Sequence, residues 1–275
     1  GSPSTTLDMN YENYHRMPTL NVRFDDVTEL LMKGFHLTEQ DSLNGFIERF
    51  PNLEILDLDS VDLRHYFVAG DAGRSLPPAI EQLTHLRSLH LRGTRLVFSE
   101  SAASQLRDLT QLQLLDLSDN PLGVPPLVLG MNDLRQLNLR NTHISRCPIG
   151  IKDEPYLTSL DLRDNQITRV PPAVINQAVA DDRVLLWGNP LTDEDTLRRL
   201  ISHREATGIN LWLGMPGADY GTSTVWLRDC EAALQQSRHA LWQRLAGKPS
   251  GTRFLAVMDR LSLTADFQVS YLSLQ

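Results

Sequence analysis

Cysteine is scarce. The only two in 275 residues, Cys147 and Cys230, are far apart and form no Cys-x-x-Cys pair, which excludes a disulfide framework and a zinc ribbon. No Asn-x-Ser/Thr triplet occurs, so nothing marks a glycosylated ectodomain. No apolar run approaches the roughly 20 residues that span a bilayer. No basic segment followed by an apolar stretch marks a secretory signal. Positive charge is in deficit, with 26 Lys and Arg against 34 Asp and Glu and a net charge of −8. That balance argues against broad nucleic-acid binding and against a polybasic membrane surface. Chemistry-bearing motifs are also missing. The glycine-rich stretches lack a phosphate-loop pattern, and no His-x-x-x-His pair exists among eight scattered histidines. Cys147 precedes Pro148 and is expected to be a core residue. Cys230 lies on an apolar stripe between Asp229 and Glu231, two features that raise a thiol pKa and weaken it as a nucleophile. No catalytic residue, metal or cofactor is expected.

Leucine, in contrast, is abundant and ordered. The pattern L-x-x-L-x-L-x-x-N-x-L stands at Leu112, Leu115, Leu117, Asn120 and Leu122, and again at Leu157, Leu160, Leu162, Asn165 and Ile167. This is the leucine-rich repeat signature. Seven units begin at Val27, Leu53, Leu86, Leu112, Leu134, Leu157 and Asp181, spaced 26, 33, 26, 22, 23 and 24 residues apart. The Leu-x-Leu alternation predicts a short strand with one face in the core. An Asn at the ninth position suits the turn that follows, because its side chain can bond the backbone there. Thr94 and Thr142 can serve more weakly, whereas Phe35 and Val61 cannot, so the first two repeats should be less regular. The fold class is therefore α/β, a leucine-rich repeat solenoid with parallel strands on its concave face.

The return limbs carry Leu76-Pro77-Pro78, Val124-Pro125-Pro126 and Val170-Pro171-Pro172, which predict extended convex segments. The first repeat instead carries a helix, with Thr38 as N-cap and Leu43, Phe46, Ile47 and Phe50 as its apolar stripe. The spacing of 33 places an insertion at about Arg64 to Arg74, either a tolerated surface loop or a recognition loop with exposed aromatics. A helix from Thr192 to about Ala206, stopped by Gly208, should cap the last repeat. Three regions result: an arm over residues 1–25, polar and irregular; the capped repeat domain over 26–213; and a linker with helices over 214–275, whose apolar stripe includes Trp226, Cys230, Leu241 and Trp242.

Residues between the leucines should face out from the concave side. One row reads Leu31, Asp57, His90, Asp116, Asn138, Asp161 and Leu185. The next reads Lys33, Asp59, Arg92, Ser118, Arg140, Arg163 and Trp187. Asp161 with Arg163 and Asp116 with Arg140 are candidate surface ion pairs of little energetic worth. Alternatively, the rows form a polar recognition face, since Trp and Arg dominate binding hot spots. Candidate contact residues are Asp57, Asp59, His90, Arg92, Asp116, Ser118, Asn138, Arg140, Asp161, Arg163 and Trp187. Trp187 could equally pack beneath the C-terminal cap.

The C-terminal third carries Gly188-Asn189-Pro190-Leu191-Thr192, His203 through Ile209, Trp226-Leu227, Ala240 through Leu245, and Phe254-Leu255-x-x-Met258-x-x-Leu261-x-x-Thr264-Ala265-Asp266-Phe267. This resembles the junction between repeats and catalytic region in bacterial NEL (novel E3 ligase) effectors. The resemblance implies a protein secreted by a bacterium into the host cell cytoplasm, with repeats that select a host target protein. It also implies an all-helical ligase domain that receives ubiquitin from an E2 on a Cys-x-Asp cysteine. Here Cys147 is followed by Pro148-Ile149 and Cys230 by Glu231-Ala232, so no catalytic residue carries over. The expectation is a fragment of a longer protein, itself inactive, whose catalytic cysteine lies beyond Gln275. A non-enzymatic repeat adaptor is the other reading.

Overall fold

A computed structural model describes residues 5–38, 41–64, 76–209 and 211. The insertion expected after Arg64 and the helices expected to carry Trp226, Cys230 and Trp242 lie outside the described residues. The chain winds as a solenoid around one column of aliphatic side chains. Strand β1 (Thr5–Asp8) is followed by the two-residue β2 (Asn13–Tyr14), then β3 (Val27–Leu31), the two-residue β4 (His36–Leu37) and helix α1 (Asp41–Ile47). After these come β5 (Ile55–Asp57), α2 (Pro78–Glu81), β6 (Ser88–His90), a 3₁₀ helix (Ala102–Asp108), β7 (Leu114–Asp116), β8 (Gln136–Asn138) and β9 (Ser159–Asp161). The last are α3 (Pro172–Ile175), β10 (Val184–Leu185) and α4 (Glu194–Thr207).

Eight of the strands form one parallel sheet in the order β1-β3-β5-β6-β7-β8-β9-β10. Their registers align Leu7, Leu30, Leu56, Leu89, Leu115, Leu137, Leu160 and Val184 as one inward row. All but Leu7 in that row are buried, and Leu7 packs against the core from the open end. The N-terminal arm is thus not wholly irregular, because β1 extends the sheet by one strand beyond the seven repeats. Met17 also enters the core, its N–H bonded to Ser42 Oγ at 3.0 Å. The polar composition of the arm hid this, since an edge strand needs few apolar residues.

The ninth-position asparagines do more than close their own turns. The buried Asn120 amide donates to the carbonyls of Leu91, Leu117 and Ser118, at 2.7–3.1 Å. Its oxygen accepts from the N–H groups of Thr94 and Leu96 at 2.9 and 3.1 Å. Asn165 repeats the arrangement toward Leu139, Leu162, Arg163 and Thr142. Asn189 does so toward Leu162, Leu186 and Ile167. Each carboxamide therefore bonds its own repeat to the one before. Buried backbone groups cannot go unpaired without cost, and here a side chain replaces the missing ladder partner.

Phe35 and Val61 occupy the same site without an amide, yet β3 and β5 keep full register. Regularity of the strands does not depend on the asparagine. Backbone bonds from Phe35 N to Met32 O and Val61 N to Leu58 O close these turns, and Tyr14 stacks on Phe35 at 5.5 Å.

The residue before the ninth position has a left-handed backbone in every repeat: Gly34, Ser60, Gly93, Asp119, Asn141, Asp164 and Gly188, with φ from 54° to 78°. A Cβ is strained in that region. Glycine and the short polar residues that tolerate it are the occupants. At Gly188 the demand is doubled, because a Cβ there would lie 2.4 Å from Asp164 Oδ1.

On the convex side, two of the Pro-Pro limbs are not extended. Pro78 and Pro172 each open a one-turn helix, since proline at the first helical position has its φ preset and lacks only an N–H that would be unpaired there. The third limb remains extended, bridging Leu127 to Ile149. The apolar stripe of α1 is buried at Leu43, Phe46, Ile47 and Phe50; the Thr38 cap depends on residues 39 and 40, outside the described set. Helix α4 starts with Asp193 as its cap, accepting the Thr196 N–H at 2.9 Å, and ends at Gly208 with φ 77°. Thr196 Oγ1 accepts the Val170 N–H at 2.9 Å, and Leu197 and Leu200 are buried, so α4 closes the last repeat.

Replacing Asn120 by Ala strands several buried groups in two repeats at about 1–3 kcal/mol apiece. The expected loss is about 3–5 kcal/mol in urea unfolding, with Thr94→Val costing only about 1 kcal/mol. A loss below about 1 kcal/mol for Asn120→Ala would show that the amide is not what joins the repeats.

Candidate protein-binding face

The strand registers place Asp8, Leu31, Asp57, His90, Asp116, Asn138, Asp161 and Leu185 in one outward row. Most of its oxygens are already engaged. Asp57 Oδ1 accepts the Asp59 N–H, Asp116 Oδ1 the Ser118 N–H, Asn138 Oδ1 the Arg140 N–H and Asp161 Oδ1 the Arg163 N–H, at 2.9–3.1 Å. These side chains cap the C-terminal ends of their own strands, as Asp and Asn do in turns. The row is acidic by structural need as much as by any demand of a partner.

The second row is different. Arg92 and Arg140 each donate Nε–H to a carboxylate on a neighbouring turn, Asp119 Oδ2 at 2.9 Å and Asp164 Oδ2 at 2.7 Å. The pairing expected between Asp116 and Arg140 is not formed. Asp116 Oδ1 also accepts the Ser118 hydroxyl at 2.6 Å, and Asp164 reaches Arg140 from the left-handed turn position instead. Arg163 pairs with Asp161 as expected, through Nε and Nη2. With side chains only 19% and 8% exposed, that pair is the most enclosed of the described ion pairs.

Arg92, Ser118, Asn138, Arg140, Asp161 and Arg163 line one cleft of about 580 Å³, together with Asp119, Asn141 and Asp164. The sequence reading missed the last three because they stand in the turn, outside the strand alternation. The recurring Gly, Ser, Asp and Asn at that position was the available signal. Asp57, Asp59, His90 and Asp116 do not line the cleft but stand beside it along the same face. Trp187 is half-buried at the C-terminal end of the second row.

The ionisation of Asp59, in the second row, is displaced. Burial raises its pKa, against a bond from the Arg92 N–H to Oδ1 at 2.8 Å that lowers it. The charges of Asp57 and Asp116 raise it further, and His90 lowers it. Cys147 is buried, its thiol pushed up to about 12 by desolvation. It is thus a core residue and not a nucleophile. Among the described residues no group of three His, Cys, Asp or Glu side chains could hold a metal. No described helix is long and apolar enough to cross a membrane.

A raised folded pKa means that the native state holds the Asp59 proton more tightly than the unfolded chain. The associated stability is present below the ordinary carboxylate range and is lost as pH rises through the raised value. Asp59→Asn keeps an acceptor for the Arg92 N–H and removes the charge. It should raise Tm at pH 7, with the gain vanishing in scans below pH about 3.5.

The Leucine Rich Repeat family model matches residues 111–131 and 156–177, the two segments where the pattern keeps its asparagine and an aliphatic residue at every leucine position. The chain is 29% identical over 144 residues to Tsukushi of Gallus gallus, a match spanning 51% of this chain and 35% of that protein. The chain therefore spans about a third of that relative's length. Among solved structures it is similar to an internalin C2 from Listeria monocytogenes, at 20% identity and a TM-score of 0.48, covering 67% of this chain and 70% of the other. It is also similar to the functional domain of InlJ from Listeria monocytogenes, again at 20% identity and 0.48, covering 70% and 36%. The chain carries leucine-rich repeats, assembled as an α/β solenoid that forms a protein-binding region.

Proposed function

We propose that this solenoid is the substrate-recognition region of a secreted bacterial E3 ubiquitin-protein ligase of the NEL type. In this reading it grips a host target protein in the host cytoplasm, while a helical ligase domain engages E2-ubiquitin. The observation that carries the binding half is the concave face, where one cleft gathers arginine, aspartate and asparagine side chains from four consecutive strands and the turns after them. Arginine in such a setting supplies directional donors at modest entropic cost. The ligase half rests on the resemblance of the segments from Gly188 to Phe267 to the repeat–ligase junction of that family. Cys147 does not serve as the ubiquitin acceptor, because its thiol stays protonated in the core. Cys230 lacks the Asp two positions on that the family motif requires.

A photo-crosslinking amino acid at Asn138 should capture a discrete host-cell protein, and the same group at the convex Asp133 should not. Equal capture from both positions would defeat the concave-face reading. In a charging assay with E1, E2, ATP and ubiquitin, this chain should form no thioester. A reducible ubiquitin adduct that disappears in Cys230→Ala would overturn the assignment of the catalytic cysteine to another part of the protein. Ubiquitin transfer to the crosslinked protein by the parent polypeptide separates a ligase from a non-enzymatic adaptor.

A further inference from the structure

The hydrogen-bond inventory of the cleft is lopsided. Its acceptors are largely spent. Both Asp161 oxygens receive Arg163. Asp119 Oδ2 receives Arg92, and its Oδ1 the Asn141 amide at 3.1 Å. Asp164 Oδ2 receives Arg140. The donors are not spent. Arg92 and Arg140 bond these carboxylates through Nε, and among the described residues neither guanidinium makes a second hydrogen bond. Their side chains are 60% and 46% exposed. Each therefore presents two terminal nitrogens to whatever enters. Ser118, 3% exposed and tied to Asp116, lies between them just after the intervening strand β7, so the floor is low where the two arginines stand up. Pinning at Nε holds each fork in place before binding, which reduces the entropy lost on contact.

The geometry points to an acidic polypeptide segment as the occupant, with one carboxylate on Arg92 and another on Arg140. The two arginines stand two strands apart, about 10 Å, too far for one carboxylate and suited to two on the same face of a partner. Neighbouring aspartates cancel the formal charge, so the selectivity comes from unpaired donors and not from a positive field. A basic segment would find few open acceptors and would meet guanidinium groups. Arg163, closed onto Asp161, bounds the cleft and takes no part. This inference rests on the reading of the concave face as the binding surface and narrows the partner to one that offers paired acids.

The test is a titration of the ¹⁵N-labelled chain with N-acetylated hexaglutamate, followed at the arginine Nε–H resonances and the Ser118 and Asn138 amides. Saturable shifts at Arg92 and Arg140 are expected, with affinity reduced at least tenfold in Arg92→Gln/Arg140→Gln and several-fold in the charge-preserving Arg92→Lys/Arg140→Lys. Arg107→Gln, on the convex 3₁₀ helix, should change nothing. Equal binding by hexalysine at these residues, or hexaglutamate binding indifferent to the double Gln substitution, would overturn the proposal. If the Asn138 crosslink to the host protein persists unchanged in Arg92→Gln/Arg140→Gln, the acidic-segment inference fails while the concave-face reading stands.

Discussion

The buried carboxamides of Asn120, Asn165 and Asn189 are the interactions on which the regular half of the solenoid depends. A strand of three residues followed by a sharp turn leaves carbonyls and N–H groups inside the protein with no ladder partner. Each asparagine supplies both a donor pair and an acceptor at that place, and spreads them over two repeats. The repeats are thus joined by side-chain bonds as well as by the sheet and the leucine column. In these repeats, as in the others, the turn holds the preceding residue in the left-handed region. In two repeats that residue is an aspartate, Asp119 or Asp164.

The cleft of the concave face is coupled to this turn. Asp119 and Asp164 hold Arg92 and Arg140 at Nε because the turns put their carboxylates beside the neighbouring strand end. The cleft is therefore assembled from two sets of residues with different origins. The arginines come from the strand alternation. Their anchors come from the turn position that is left-handed in every repeat. The N-terminal repeats, with Phe35 and Val61 in place of the amide, keep the sheet but lack the ladder, and the cleft lies outside them.

Much of the scaffold was legible in the chain. The L-x-x-L-x-L spacing identifies seven strands, and all seven join the sheet in the order of the repeats. Asp193 and Gly208 bound α4 within a residue or two of the helix the sequence suggests. Legibility failed where local composition is ambiguous. Thr5–Asp8 has no apolar alternation, and it becomes a strand because the open edge of β3 offers backbone partners. The Pro-Pro limbs read as extended, yet two of the three begin helical turns, since proline fixes φ without deciding ψ.

The candidate site divides along the same line. Sequence alone determined which residues of the strand alternation stand on the concave face, because a period of two leaves only one face for the residues between leucines; it did not single out the turn residues Asp119, Asn141 and Asp164. It could not decide how those residues pair. Asp116 and Arg140 look like neighbours on adjacent strands. The tertiary structure instead closes Asp116 onto Ser118 and sends Arg140 to Asp164. A side chain chooses among acceptors by distances of a few ångströms between repeats. Those distances are set by the stagger of the turns, which no single repeat contains.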